Sequence, residues 1–370
     1  MLDFQTFKRQ LSLLHDVGHG PFSHAFEKVT GDKHEARTLD IIVSPDTEVN
    51  DKLGKYAEEL PALIENFFNK EKSDEEKEHA GMPAFATQIV DGQFDADRAD
   101  YLLRDSHATG TGYGRFDLPW ILKELRYDDK RVFVGKKGFG AIEQFVFARY
   151  HMFSYCYYHK TIRATEVMLK QLFGRFRKLL REEGAANMRK RLNGIQGVLI
   201  DAFAHADEEE GGNIRLADYL KLDDGAIVEF FKICVFDEDV TLKYLARGLL
   251  DRKLYKSVDV VGQTGPTLLS LAPALTNAIK EVSESKLRGF DEQSMLVFDS
   301  PSDTPYKPYE IGRPKDQILV EVSGKGVREL STVSEPVKSL AKYELTRYFY
   351  PVELRATIEP IAKGILKGEA

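Results

Sequence analysis

The stretch LLHDVGHGPFSH, residues 13–24, sets His15, His19 and His24 and the carboxylate of Asp16 within twelve residues. His34 follows ten residues later, so four of the chain's nine histidines lie between residues 15 and 34. Upstream, Phe4, Phe7, Leu11, Leu14 and Val17 recur at steps of three and four, the spacing of an amphipathic helix over residues 4–17. Gly18, Gly20 and Pro21 break that helix. Ser23 stands where it would cap a short helix from His24 to about Val29, which Gly31 ends. Asp32 and Glu35 have capping-box spacing, which puts His34 in the first turn of the next helix. The His15-Asp16 pair offers a borderline nitrogen ligand beside a hard oxygen ligand. That pair suits Fe, Mn, Mg, Co or Ni better than a thiolate-loving metal.

Further along, DADRADYLLRDSHATG (95–110) reads as a helix with Asp97, Tyr101 and Asp105 four apart on one face, followed by the loop GTGYGRFDLP. Residues 141–182 read as one long helical stretch, with Arg149, Tyr157 and Lys160 on one stripe that suits a polyphosphate and a sugar. The charged run NKEKSDEEKEHAG (69–81) reads as a solvated loop or helix end, and TLKYLARGLLDRKLYKSV (241–258) as helix. Past residue 256 the character changes, and SMLVFDS, QILVEVS and RELSTV look like short strands. The expected architecture is mainly α, with a helical lobe over residues 1–260 and a smaller mixed α/β lobe over 261–370.

The totals exclude several classes. The chain has 370 residues, 42% hydrophobic and 30% charged, which is globular composition with room for about two lobes. A net charge of −7 argues against broad coating of nucleic acid. Cys156 and Cys234 are too few and too far apart for a disulfide framework or a paired-cysteine zinc site. No run of about 18 apolar residues suggests a membrane span, and the first ten residues lack the pattern of a secretory signal. A cytoplasmic protein is the expectation.

The string His-Asp-x-Gly-His-Gly-Pro-x-Ser-His resembles the signature of the HD-domain metal-dependent phosphohydrolases, and in particular their dNTP triphosphohydrolase branch. HDVGHGPFSHAFE, KHEA, FDADRADYLLRDS, YGRFDL, YYHK and DRKLYKSV recur in the family's order from about residue 3 to residue 260. The resemblance implies an HD-type helical fold and hydrolysis of a deoxynucleoside triphosphate to deoxynucleoside and triphosphate. It implies His15, Asp16 and Asp97 as ligands of a divalent metal, and His19 and His24 as phosphate contacts. His34 would be the proton donor, oriented by Glu35 or Glu27. Arg98 (commonly lysine in the family), Arg149 and Lys160 would face phosphates, and Tyr101, Asp105 and Tyr157 would hold the sugar. Arg252 and Lys256 match positions that help bind an activating nucleotide between subunits. Trp120 stands near a position where the family has a basic activator contact. A homo-oligomer follows from the same resemblance.

One part of the pattern departs. The family takes a further metal-ligand histidine from a helix upstream of the His-Asp pair, and none of the fourteen residues before His15 is histidine. The expectation is a reading frame whose start is set inside a longer one, a short form with a weak three-ligand metal site and impaired activity, or a nucleotide-binding regulator without catalysis. Rival readings are an HD phosphohydrolase of cyclic nucleotides or alarmones, and a nucleic-acid-binding protein resting on RFRKLLREEGAANMRKR (175–191).

Overall fold

The computed structural model describes residues 10–68, 88, 92–128, 131–192, 197–208, 214–260, 265–303, 306–307, 317–340 and 343–367. The chain forms two compact units, and each is assembled from separated segments. One comprises Met1–Gly18, Thr38–Tyr157 and Ser302–Tyr343; the other comprises His19–Arg37, Tyr158–Pro301 and Glu344–Ala370. The units therefore do not follow a boundary at residue 260. Strands late in the chain pair with elements far earlier in it, and local pattern carries no signal of such long-range pairing. The mainly α fold class holds.

In the first unit, residues 10–14 are helical and His15–Gly18 form turns. Leu11 and Leu14 are buried with Ile42, Leu53, Leu60, Ile64 and Phe67. A second cluster gathers Leu102, Ile121, Ile142, Phe145 and Met152 against Val320 and Leu330. A four-stranded sheet lies in this unit, in the order Leu125–Tyr127, Val132–Val134, Leu319–Val322, Gly326–Glu329. Its one parallel pairing aligns Val134 with Val320, which is how the late segment QILVEVS completes an early hairpin.

The second unit is organised on the helix Lys160–Glu183. Its face Met168, Leu172, Phe173, Phe176, Leu179 and Leu180 is buried, as the helical repeat requires. Phe173 and Phe176 pack with Phe203 and Phe230, and each such ring removed from water contributes roughly 2–3 kcal/mol. A three-stranded antiparallel sheet, with Arg347–Tyr350 between Lys256–Asp259 and Val297–Asp299, completes the unit.

Three local expectations are corrected. The helix over 141–182 is broken: Phe139–His151 runs into a π-helical turn, Met152–Tyr157, and a new helix starts at Lys160 with extended His159 as its cap. Arg149 and Tyr157 thus share no continuous stripe with Lys160, which belongs to the other unit. The segment 241–258 is helical only to Leu250; Arg252 takes a left-handed φ of 56° and Lys256 opens a strand. In RELSTV the strand ends at Glu329, where the carboxylate turns back to cap a 3-10 turn by accepting from the Ser331 and Thr332 amides. Residues 1–9 and the run 69–81 lie outside the described residues. Among the described residues, no helix is long and apolar enough to cross a membrane.

Candidate functional site

Among the described residues, two side-chain clusters could hold a metal ion, one in each unit. In the first unit, the turn at His15–Gly18 is pinned by Thr38. Its Oγ1 donates to the His15 carbonyl (2.9 Å) and accepts from the Gly18 amide (3.0 Å). The His15 Nδ1 lies 3.0 Å from the Ser12 carbonyl, which can only accept, so Nδ1 carries a proton. That leaves Nε2 facing the Asp16 carboxylate at 3.1 Å and the Asp97 carboxylate at 3.7 Å. Asp97 is brought there by the helix Ala96–Thr109, whose cap Asp95 accepts from the Arg98 amide and whose buried face is Ala99, Leu102 and Ser106.

This donor set fits a divalent cation. His15 Nε2 is buried and makes no hydrogen bond, yet two carboxylate oxygens converge on it. A carbonyl holding the far nitrogen of an imidazole is the usual support for a metal ligand. The electrostatics point the same way. The Asp16 carboxylate, then that of Asp97, pull the His15 imidazole up from 6.5 to about 10 against the opposing effect of burial. The position calls for positive charge, whether proton or metal.

On the same helix, Tyr101 and Asp105 follow Asp97 at four-residue steps, as their spacing requires. Asp105 accepts a 2.9 Å hydrogen bond from the Tyr157 phenol, and the Tyr101 and Tyr157 rings meet edge-on at 6.4 Å. Burial, then the Asp105 carboxylate, pushes the Tyr157 phenol well up, so it stays a donor at neutral pH. Burial likewise raises Tyr101, with Arg149 and Arg98 opposing. Arg149 lies over the Phe153 ring at 5.5 Å. Arg98 is tied to its own turn, donating to the Gly92 carbonyl at 2.8 Å and to the Asp95 carboxylate.

In the second unit, the short helix His24–Thr30 is seated by Phe26, which packs on Phe173, Phe203 and Tyr219. Lys28 anchors the same helix to Glu166 at 2.6 Å. Gly31, with φ of 84°, turns the chain into His34–Val43. Three imidazoles then converge on one oxygen of Glu27: His34 Nδ1 at 2.6 Å, His24 Nδ1 at 3.2 Å and His19 Nδ1 at 3.5 Å. His19 stacks on His34 with centroids 4.0 Å apart, and His24 meets both edge-on.

Two sequence expectations change here. Ser23 occupies the cap position without capping; its hydroxyl meets His19 Nδ1 at 3.0 Å, and both Phe22 and Ser23 hold φ of 55°. Asp32 forms no capping box. It is buried against Arg37 at 2.7 Å, and Glu27 meets His34 Nδ1 at 2.6 Å. Lys160 is an exposed first residue of its helix, and Arg252 and Lys256 are exposed on a turn and a strand rather than a helix end. Trp120 donates its indole N–H to the Lys137 carbonyl. Thr38 and the Ser12 carbonyl, which fix His15, escaped sequence reasoning because only the folded chain brings Thr38 to the His15–Gly18 turn.

Residues 116–191 match the family model of the HD associated region. The Bacillus subtilis protein YwfO, an uncharacterized protein, is 32% identical over 93% of this chain and 73% of its own length. The chain belongs to the HD phosphohydrolase family. HD phosphohydrolases are metal-dependent, and the His15, Asp16 and Asp97 group is one of two among the described residues that could hold an ion. A phosphohydrolase of Bacteroides thetaiotaomicron shares the HD phosphohydrolase fold, with a TM-score of 0.71 over 95% of this chain and 81% of that one at 24% identity. A more distant relative is the Dictyostelium discoideum homolog of the deoxynucleoside triphosphate triphosphohydrolase SAMHD1, 29% identical over 46% of this chain and 33% of its own.

Proposed function

We propose that this chain hydrolyses deoxynucleoside triphosphates to deoxynucleoside and inorganic triphosphate. The observation that carries the reading is the buried His15 Nε2, which has no hydrogen bond and faces the carboxylates of Asp16 and Asp97. His15, Asp16 and Asp97 would hold the metal. When bound, a divalent metal polarises a phosphoryl oxygen and lowers the pKa of water.

Water adds at the α-phosphorus, the bond from phosphorus to the 5′ oxygen breaks, and that oxygen takes a proton. His34 is the donor, with Nδ1 held by Glu27 so that Nε2 is the proton-bearing face. His19 and His24, packed against His34, bind phosphate oxygens. Arg98, Arg149 and Lys160 balance phosphate charge. The Tyr157–Asp105 pair and the Tyr101 ring hold the sugar, and a phenol packed against C2′ leaves no room for a ribose hydroxyl. Arg252 and Lys256 are the proposed contacts for an activating nucleotide in a homo-oligomer.

The printed activity of the Dictyostelium relative supports the substrate class. The basic stretch 175–191 disfavours a nucleic-acid reading, because Arg175 pairs with Asp239, Arg189 with Asp201 and Arg191 with Asp237. The test is a product screen of the metal-loaded protein across dNTPs, cAMP and ppGpp. Triphosphate and deoxynucleoside are expected; pyrophosphate with dNMP, or turnover of cAMP or ppGpp alone, overturns the reading.

A further inference from the structure

We infer that His19, His24, Glu27 and His34 form a second metal site, selective for zinc and distinct from His15, Asp16 and Asp97. The ligand atoms of the four residues lie within 4.8 Å of one another. Four-coordinate zinc with bonds of about 2.0–2.2 Å holds its ligands about 3.4 Å apart. The three nitrogens stand 2.6, 3.2 and 3.5 Å from Glu27 Oε1, so His24 and His19 already sit near that spacing. His34 needs to withdraw by less than 1 Å, and His24, 65% exposed, stands at the solvent edge of the cluster. His19 gives up its contact with the Ser23 hydroxyl on binding.

A single carboxylate oxygen offers about two lone-pair directions, yet three imidazoles gather on this one. A cation at their centre satisfies all three together with the carboxylate. The donor sets also differ. Three imidazoles and one carboxylate suit zinc, whereas one imidazole and two carboxylates suit harder ions. Zinc binding itself does not depend on the activity proposed above. Its consequence does: zinc would take His19 and His24 from phosphate and replace the Glu27 hydrogen bond at His34 Nδ1, so zinc would inhibit a protein whose other site holds a harder ion.

The full-length protein, stripped of metal, is loaded with Zn2+ or Co2+, desalted and assayed for bound metal. Two equivalents of Zn2+ are expected for the wild type and one for His24→Ala, whose side chain is 65% exposed and lies outside the hydrophobic core. His15→Ala keeps the other equivalent. The Co2+ form should show the intense visible absorption of four-coordinate cobalt, lost in His24→Ala and Glu27→Gln and kept in His15→Ala. One equivalent in the wild type that His24→Ala leaves unchanged overturns the inference, as do two equivalents that both survive His24→Ala. Because the readout is stoichiometry and colour, failure here leaves the triphosphohydrolase reading standing.

Discussion

Glu27→Ala removes the oxygen on which three imidazoles converge, and its cost can be worked from the structure. The 2.6 Å contact to His34 Nδ1 joins side chains only 15% and 19% exposed. A hydrogen bond to a charged partner at such a site is worth about 1.5–3 kcal/mol. At about 1.4 kcal/mol per decade, losing it from a proton-donating transition state lowers kcat roughly 10- to 150-fold. Metal affinity at His15, Asp16 and Asp97 should not change, because Glu27 lies outside that group. Glu27→Gln, which keeps an acceptor but not the charge, should fall between. The assay is steady-state release of triphosphate under saturating metal, with circular dichroism to confirm folding. A folded Glu27→Ala protein within two-fold of wild-type kcat would refute the role of Glu27 and, with it, the assignment of His34 as donor.

Three more outcomes follow from the same contacts. Tyr157→Phe removes the donor to Asp105 and should raise KM for a dNTP about tenfold while narrowing the preference for deoxyribose, read by comparing dGTP with GTP. Gly20→Ala sets a Cβ 2.7 Å from the Tyr219 hydroxyl and 2.9 Å from a Phe26 ring carbon, both buried, and should cost about 1–3 kcal/mol in denaturant unfolding. Asp239→Ala breaks the 2.6 Å pair with Arg175 and uncaps Val240–Leu250, and should cost about 3 kcal/mol or more. Burial raises the Asp239 carboxyl, but Arg175 and the Leu242 amide outweigh it and hold it below 3.8. Its contribution is therefore full above pH 3.8 and is lost as pH falls further, so unfolding scans should show wild type and Asp239→Ala converging in acid.

Much of the site was legible because it is local. The helix Ala96–Thr109 declares itself through the spacing of Asp97, Tyr101 and Asp105, and the Gly31 turn through its glycine. What sequence missed depends on partners far along the chain. Asp32 has the spacing of a capping box, yet Arg37 claims its carboxylate in a buried pair. Arg98 reads as a cation for phosphate, yet its guanidinium is held by Asp95 and Gly92. Arg347–Tyr350 shows no polar-apolar alternation because it is buried on both faces as a central strand, its arginine paired with Asp259. Thr38 fixes the His15 turn from twenty-three residues away, and no pattern in its own neighbourhood announces that role.

The central claim is that His15, Asp16 and Asp97 hold the metal on which hydrolysis depends. Its most direct test is Mn2+ titration of the metal-stripped protein with dGTP, following triphosphate release and bound metal together in wild type and in Asp97→Asn. The account predicts no triphosphate without metal, recovery that tracks one bound equivalent in the wild type, and loss of both in Asp97→Asn. Undiminished release from the stripped protein, or an Asp97→Asn protein that binds Mn2+ and turns over like the wild type, would contradict it.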